Sequence, residues 1–301
     1  MGFEKSHPAV NLIYFVCVIT GMIAFVHPVY LVISFLCACV YSVKRNGLKA
    51  LFFDLALIPL AFVYAAYYAS YHHFGMTELA LNFVGNRLTL ESAVYGLVTG
   101  MIIAGVMIWS TCVFSVFTTD KVVYLFGAVS PRLSLCVSII LRMVPRTVNE
   151  ARKINAARAG IGRAVGQGNL FRRIVNAVSI FSILITWLIG TFRSLSDTMR
   201  SRGSTLRGRK AFSIYRFDYR DRLYVIAMFF FITVTMAGYM LRQTRMIYDP
   251  RLMWTPLSFV SYIFYTAYGI FCLMPFMLEV YTEWSFKRSR ADMFSESYHK
   301  Q

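Results

Sequence analysis

Charge is scarce in this chain, and acidic charge is scarcest. Of its 301 residues 15% are charged, and 14 Asp and Glu residues stand against 31 Lys and Arg residues. Soluble domains carry about 25% charged residues, whereas 57% of this chain is hydrophobic. The shortage of charge excludes an ordinary soluble domain, and we predict an all-α, polytopic helical membrane protein with about six spans.

Catalytic and metal-binding motifs are also missing. The five His residues show no metal-ligand spacing, and the six Cys residues lie in or beside apolar runs without a C-x-x-C pair. Residues 203–208 resemble the start of a phosphate-binding loop, but the Ser or Thr that would bind Mg²⁺ is absent after Lys210. We therefore predict no catalytic residue, no metal site and no cofactor in this chain.

Seven apolar runs reach or approach the length of a membrane-spanning helix, which is about 20 residues with about 17 to 25 tolerated. His27 and Pro28 predict a sharp turn between the first two runs, because proline disfavours helix in the residue before it. Gly96 and Gly100 predict close packing of the fourth run against another helix. The runs cover residues 10–26, 28–43, 50–71, 92–117, 174–192, 223–241 and 257–280.

Basic residues are concentrated in one stretch of the chain. Residues 118–222 hold 19 Lys and Arg against 5 Asp and Glu, which is +14 of the total net charge of +17. Lys and Arg favour the cytoplasmic side of a membrane. We therefore expect this stretch, and with it both termini, on the cytoplasmic side of the cell membrane.

The apolar run 174–192 lies inside this basic stretch. A single crossing would leave one of its two flanking basic clusters outside the cell, against the usual bias. We predict that this run lies along the cytoplasmic side and does not cross. The clusters are Arg172 and Arg173 before the run and Arg193, Arg200 and Arg202 after it.

Two long helices are predicted in the basic stretch, at 133–159 and 174–199, and both end in an arginine and a glycine. The first ends in the sequence ARAG from Ala157 to Gly160, and the second in SRG from Ser201 to Gly203. Glycine just past a helix suits the left-handed cap conformation. Arginine in a last turn suits the helix dipole and offers a rigid fork to carboxylates.

Residues 118–209 resemble the transmembrane T component of energy-coupling factor (ECF) importers, including the cobalt-transport type. The resemblance rests on TTDK from Thr118, on LRMVP from Leu141 to Pro145, and on the two arginine-glycine ends. Members of this family are L-shaped, with a membrane bundle and long cytoplasmic coupling helices. Each coupling helix ends in a short Ala-Arg-Gly motif that docks into a groove on one of two ABC ATPases.

The resemblance implies a non-catalytic scaffold in the cell membrane that transmits ATP-driven motion within an importer of a vitamin or a metal ion. Its partners would be two ABC ATPase subunits, which bind the ATP, and a substrate-binding membrane protein called the S component. The implied parts are a four-span bundle at 1–117, a coupling region at 118–210, and two spans with a tail at 211–301. The implied ATPase-docking residues are Ala157, Arg158, Gly160, Ser201, Arg202 and Gly203, and the implied S-component contacts are Phe181, Leu184, Leu188 and Phe192.

Two alternatives to this interpretation stay open, and one class of partner is not expected. Arg163 competes with Arg158 as the first docking residue, because Ala159 separates Arg158 from its glycine. An integral membrane enzyme acting on lipid phosphates through the Arg-rich face is the alternative function, with Glu150 and Asp197 as its nearest acid-base candidates. Nucleic acid is not expected as a partner, because no nucleic-acid-binding motif accompanies the charge.

Overall fold

The structure is a computed structural model that describes residues 3–72, 74–81, 87–203, 215–244, 246–254 and 258–299. These residues form an all-α polytopic membrane protein, as predicted, with two short antiparallel hairpins. The hairpins pair β1 (Glu78–Leu81) with β2 (Arg87–Thr89) and β3 (Met246–Ile247) with β4 (Met253–Trp254). The helices are α1 (Pro8–Ala24), α2 (Pro28–Asn46), α3 (Leu48–Tyr71), α4 (Leu90–Val116), α5 (Thr119–Val129), α6 (Pro131–Ala159), α7 (Leu170–Ser201), α8 (Tyr219–Met240) and α9 (Phe259–His299).

The predicted turn between the first two helices is confirmed. Pro28 is the first residue of α2, where its fixed φ suits a helix start and its missing N–H is not needed. The ring of His27 caps the same end, since its Nδ1 accepts a hydrogen bond from the Val29 amide at 3.3 Å. A histidine caps α1 in the same way, where His7 Nδ1 accepts from the Ala9 amide.

Six helices in the described part of the chain are long and apolar enough to cross a membrane: α2, α3, α4, α7, α8 and the 259–290 part of α9. The 17-residue α1 is shorter and lies at the lower limit for a span. Length and composition thus include α7 among the possible spans. Its predicted course along the cytoplasmic side rests on its flanking charges and stays a prediction.

The chain divides into two compact units, and residues 1–118 and 215–301 together form the first. Its core surrounds Trp109 of α4, whose indole Nε1 donates to Ser34 Oγ of α2 at 3.1 Å. The predicted close packing at Gly100 is confirmed, because a Cβ there would lie 2.7 Å from the Ala61 carbonyl oxygen of α3. Small residues therefore bring α3 and α4 together.

Residues 119–214 form the second unit, which holds α5, α6 and α7. Ser134 ties the start of α6 to α5 by donating to the Val123 carbonyl oxygen at 3.0 Å. The α6 helix continues through Pro145 to Ala159. The predicted boundary between residues 210 and 211 lies outside the described residues, as does most of the loop-like sequence 203–208.

Candidate functional site

The α7 helix presents an open apolar face. Its 32 residues span about 48 Å at 1.5 Å per residue, and Ile180 is its only buried residue. Side chains spaced three and four residues apart lie on one side of a helix. The open face of α7 consists of Ile174, Val178, Phe181, Ile185 and Ile189, which are 41% to 64% exposed.

The four predicted S-component contacts divide between this face and its edge. Phe181 belongs to the open face, and Phe192 is exposed one turn beyond it. Leu184 and Leu188 are half-buried. The stripe with the greatest exposure therefore runs one residue further round the helix than Leu184 and Leu188, through Ile185 and Ile189.

The turn after α6 differs from the prediction. Gly160 was expected to take the left-handed cap conformation, but it is right-handed, with φ −61° and ψ −24°. The left-handed residue is Gly162, at φ 73°. Around it the Arg163 amide donates to the Arg158 carbonyl at 3.0 Å and the Gly162 amide to the Ala159 carbonyl at 3.1 Å. This pair of bonds is the Schellman arrangement, which places the special glycine two residues later than expected.

The turn after α7 agrees with the prediction. Gly203 is left-handed, with φ 73°, and its amide donates to the Arg200 carbonyl at 3.0 Å. Gly203 and Gly162 therefore occupy equivalent positions at the ends of two helices. The residue before the glycine is the exposed Arg202 in one turn and the exposed Ile161 in the other, so the two ends are alike in backbone and different in chemistry.

Arg158 points back into its own unit. Its Nη1 donates to Ser179 Oγ of α7 at 2.6 Å, and its side chain is half-buried. Arg163 lies just beyond the left-handed glycine and is exposed. The two candidates for the first docking residue are thus in different settings. Arg158 joins α6 to α7, whereas the side chain of Arg163 is accessible to a partner protein.

The acid-base candidates of the alternative enzyme lie on different helices, Glu150 on α6 and Asp197 on α7. Glu150 is paired with Lys153, at 3.4 Å between Oε2 and Nζ, and Asp197 lies near the end of α7. No group of three or more His, Cys, Asp or Glu residues is placed to hold a metal ion within the described ranges.

Comparison with known protein families finds no match for the chain. Among curated proteins, 97 residues are 31% identical to the energy-coupling factor transporter transmembrane protein EcfT 1 of Listeria monocytogenes serotype 1/2a (strain 08-5578). The match covers 32% of this chain and 36% of that protein, so it spans about a third of the relative's length. The chain is thus similar in part to a transporter's transmembrane protein, which agrees with a multi-pass protein of the cell membrane.

Proposed function

We propose that the chain is the transmembrane coupling subunit of an ECF-type importer. It would join two ABC ATPase subunits, which bind the ATP, to an S component that carries a vitamin or a metal ion. The observation that carries the proposal is α7, a long helix with an open apolar face that ends in an exposed arginine and a left-handed glycine. The partial similarity to EcfT 1 supports it.

The open face of α7 is the proposed contact with the S component. On the predicted cytoplasmic course of α7 this face meets water, where covering a Val, Ile or Phe side chain contributes about 1.5 to 3 kcal/mol. Its five residues would then favour the binding of another apolar surface. Phe181 lies at the centre of this contact, with Phe192 beyond it and Leu184 and Leu188 along its edge. An S component is itself a membrane protein and offers the apolar helices that such a contact needs.

The helix ends are the proposed ATPase contacts. Arg202 at the end of α7 is exposed, and its planar fork can pair with a carboxylate in a groove. Ser201 and Gly203 flank Arg202 in the sequence, and the absence of a Cβ at Gly203 allows the ATPase to approach the helix end closely. At the end of α6 the exposed Arg163 is the better placed cation, while Arg158 holds the helix end against Ser179. Ala157 and Gly160 then contribute to the backbone of this helix end.

Coupling follows because α7 carries both proposed contacts. A stiff helix of about 48 Å connects a charged end to an apolar face, so a displacement of the ATPase at Arg202 moves the surface that holds the S component. The chain itself needs no catalytic group for this work. Hydrolysis belongs to the ATPases, and substrate choice to the S component.

Complex formation tests the proposal. The tagged chain is co-expressed with the ABC ATPases and the small membrane protein encoded nearest to it, and purified in a mild detergent. We expect both ATPases and the small membrane protein to co-purify in fixed proportion, and the chain alone to hydrolyse no ATP. A chain that stays alone while its ATPases are abundant would contradict the proposed function.

A further inference from the structure

A groove lies between α6 and α7 in the second unit, with a volume of about 1040 Å³. Part of its wall is apolar, formed by Leu135, Ile139 and Met143 of α6 and by Leu195 and Met199 of α7. No Asp or Glu lines it among the residues that the structure describes. The groove therefore combines an apolar wall with a surface that lacks negative charge.

Arginines supply the charge of this groove. Arg142 and Arg146 lie four residues apart on α6 and so share one side of the helix, and Arg202 lines the groove from the end of α7. Within the described ranges none of the three guanidinium groups forms a hydrogen bond or an ion pair. The guanidinium of Arg146 lies over the ring of Trp187, 5.7 Å from its centroid, which fixes its position but leaves its charge uncompensated.

Hydroxyl groups accompany the arginines on both walls. Ser138 lies four residues before Arg142 on α6, and Ser194 lies on the facing side of α7. Neither hydroxyl has a hydrogen-bond partner in the part of the chain that is described. Guanidinium groups bind phosphate through paired, charge-assisted hydrogen bonds, and hydroxyls can donate to its remaining oxygens. A phosphodiester offers two charged oxygens and two ester oxygens to these donors, whereas a carboxylate offers two oxygens in all.

We propose that this groove binds the phosphate group of an anionic phospholipid, with Arg142 and Arg146 as its main contacts. The apolar wall formed by Leu135, Ile139 and Met143 suits the acyl chain beside the headgroup. Its main contacts, Arg142 and Arg146, are not among the proposed ATPase anchors, so binding there needs only this chain and a membrane and does not rest on the proposed importer function. Its charge and hydroxyls would equally fit a free phosphate, and the test separates these two sources.

Lipid binding by the full chain in detergent tests the site. Native mass spectrometry counts bound lipid while the delipidated chain is titrated with phosphatidylglycerol or, separately, with phosphatidylcholine. The variant Arg142→Gln/Arg146→Gln removes two charges and should lower phosphatidylglycerol affinity about tenfold or more, because the phosphate loses its charge-assisted hydrogen bonds. The matched control Arg152→Gln/Arg172→Gln removes two exposed charges that do not line the groove. All four positions are exposed, so both variants should fold.

Inorganic phosphate is then added as a competitor. We expect phosphatidylglycerol to bind more tightly than phosphatidylcholine, the groove variant alone to lose it, and phosphate to leave it in place. Displacement by equimolar phosphate would support the phosphate site but assign it to a soluble ligand. Equal binding of the two lipids, equal loss in the control variant, or no binding of either probe would overturn the proposal.

Discussion

The Nη1 of Arg158 donates to the Oγ of Ser179 at 2.6 Å and joins the last turn of α6 to the first third of α7. The two residues are 21 positions apart in the sequence. Because the guanidinium is half-buried, the hydroxyl is a partner that water does not readily replace. The orientation of the first helix end, and of the exposed Arg163 beyond it, therefore depends on this contact.

Replacing Ser179 by alanine should destabilise this part of the chain. The change leaves a half-buried guanidinium short of an acceptor, which costs about 1 to 3 kcal/mol. Thermal unfolding of the full chain in detergent measures the loss. Ser182→Ala is the control, because the Ser182 side chain is exposed on the same helix.

The same variant tests the role of Arg158 in ATPase binding. If Arg158 acts by positioning, Ser179→Ala should weaken ATPase binding as Arg158→Ala does. Weakened binding with Arg158→Ala but not with Ser179→Ala would show that Arg158 docks the ATPase directly.

Two neighbouring glycines should respond differently to alanine. Gly162 has φ 73°, where an L-residue costs about 1 to 2 kcal/mol, so Gly162→Ala should lower the unfolding temperature. Gly160 is right-handed, and its added Cβ would meet only the Ala157 carbonyl oxygen at 3.5 Å, an ordinary contact. Gly160→Ala should therefore be neutral. Greater damage from Gly160→Ala would contradict the assignment of the turn.

A carboxylate on the open face of α7 should separate the two sets of partners. Ile189 is 64% exposed in the free chain, so Ile189→Asp should fold but bury an unpaired charge when the S component binds, which costs several kcal/mol. Co-purification should show the S component lost and the ATPases retained. Leu188→Asp changes the half-buried neighbour and should also destabilise the chain itself. Loss of the ATPases with the S component retained would reverse the two surfaces.

The course of α7 can be tested by labelling from outside the cell. The exposed Cys136 and the other native cysteines are first replaced. Single cysteines are then introduced at Gly166, before the helix, or at Gly208, which follows the helix and lies outside the described residues. If α7 stays on the cytoplasmic side, a membrane-impermeant maleimide should label neither position in intact cells and both after lysis. Labelling of just one of them in intact cells would show that α7 crosses the membrane.

The sequence predicts most of the helical framework for simple physical reasons. A long apolar run in a membrane must satisfy its own backbone hydrogen bonds, which favours a helix. A proline marks where a helix begins, as Pro28 does for α2. Gly100 was recognisable as a packing position because it lies four residues from Gly96 in an apolar run. Both features are local, so neither required knowledge of the tertiary arrangement.

The details of the candidate site were beyond such local reasoning. Four glycines lie between residues 160 and 169, and the choice of Gly162 over Gly160 depends on which carbonyls the turn satisfies. The Arg158–Ser179 contact depends on how α6 packs on α7. The residues from 181 to 190 are apolar on most sides, so the sequence did not show that Ile185 and Ile189 are more open than Leu184 and Leu188.

Retention of the ATPases on the purified chain measures most directly whether α7 docks an ATPase through Arg202. Truncating one member of a desolvated charge pair costs about 2 to 5 kcal/mol, so Arg202→Ala should lower ATPase affinity by more than about tenfold. Arg202→Lys should restore it only in part, because lysine lacks the planar fork. Arg172→Ala removes another exposed arginine, at the other end of α7, and should retain the ATPases. Equal losses with Arg172→Ala and Arg202→Ala would contradict the claim and leave these arginines as a basic membrane surface.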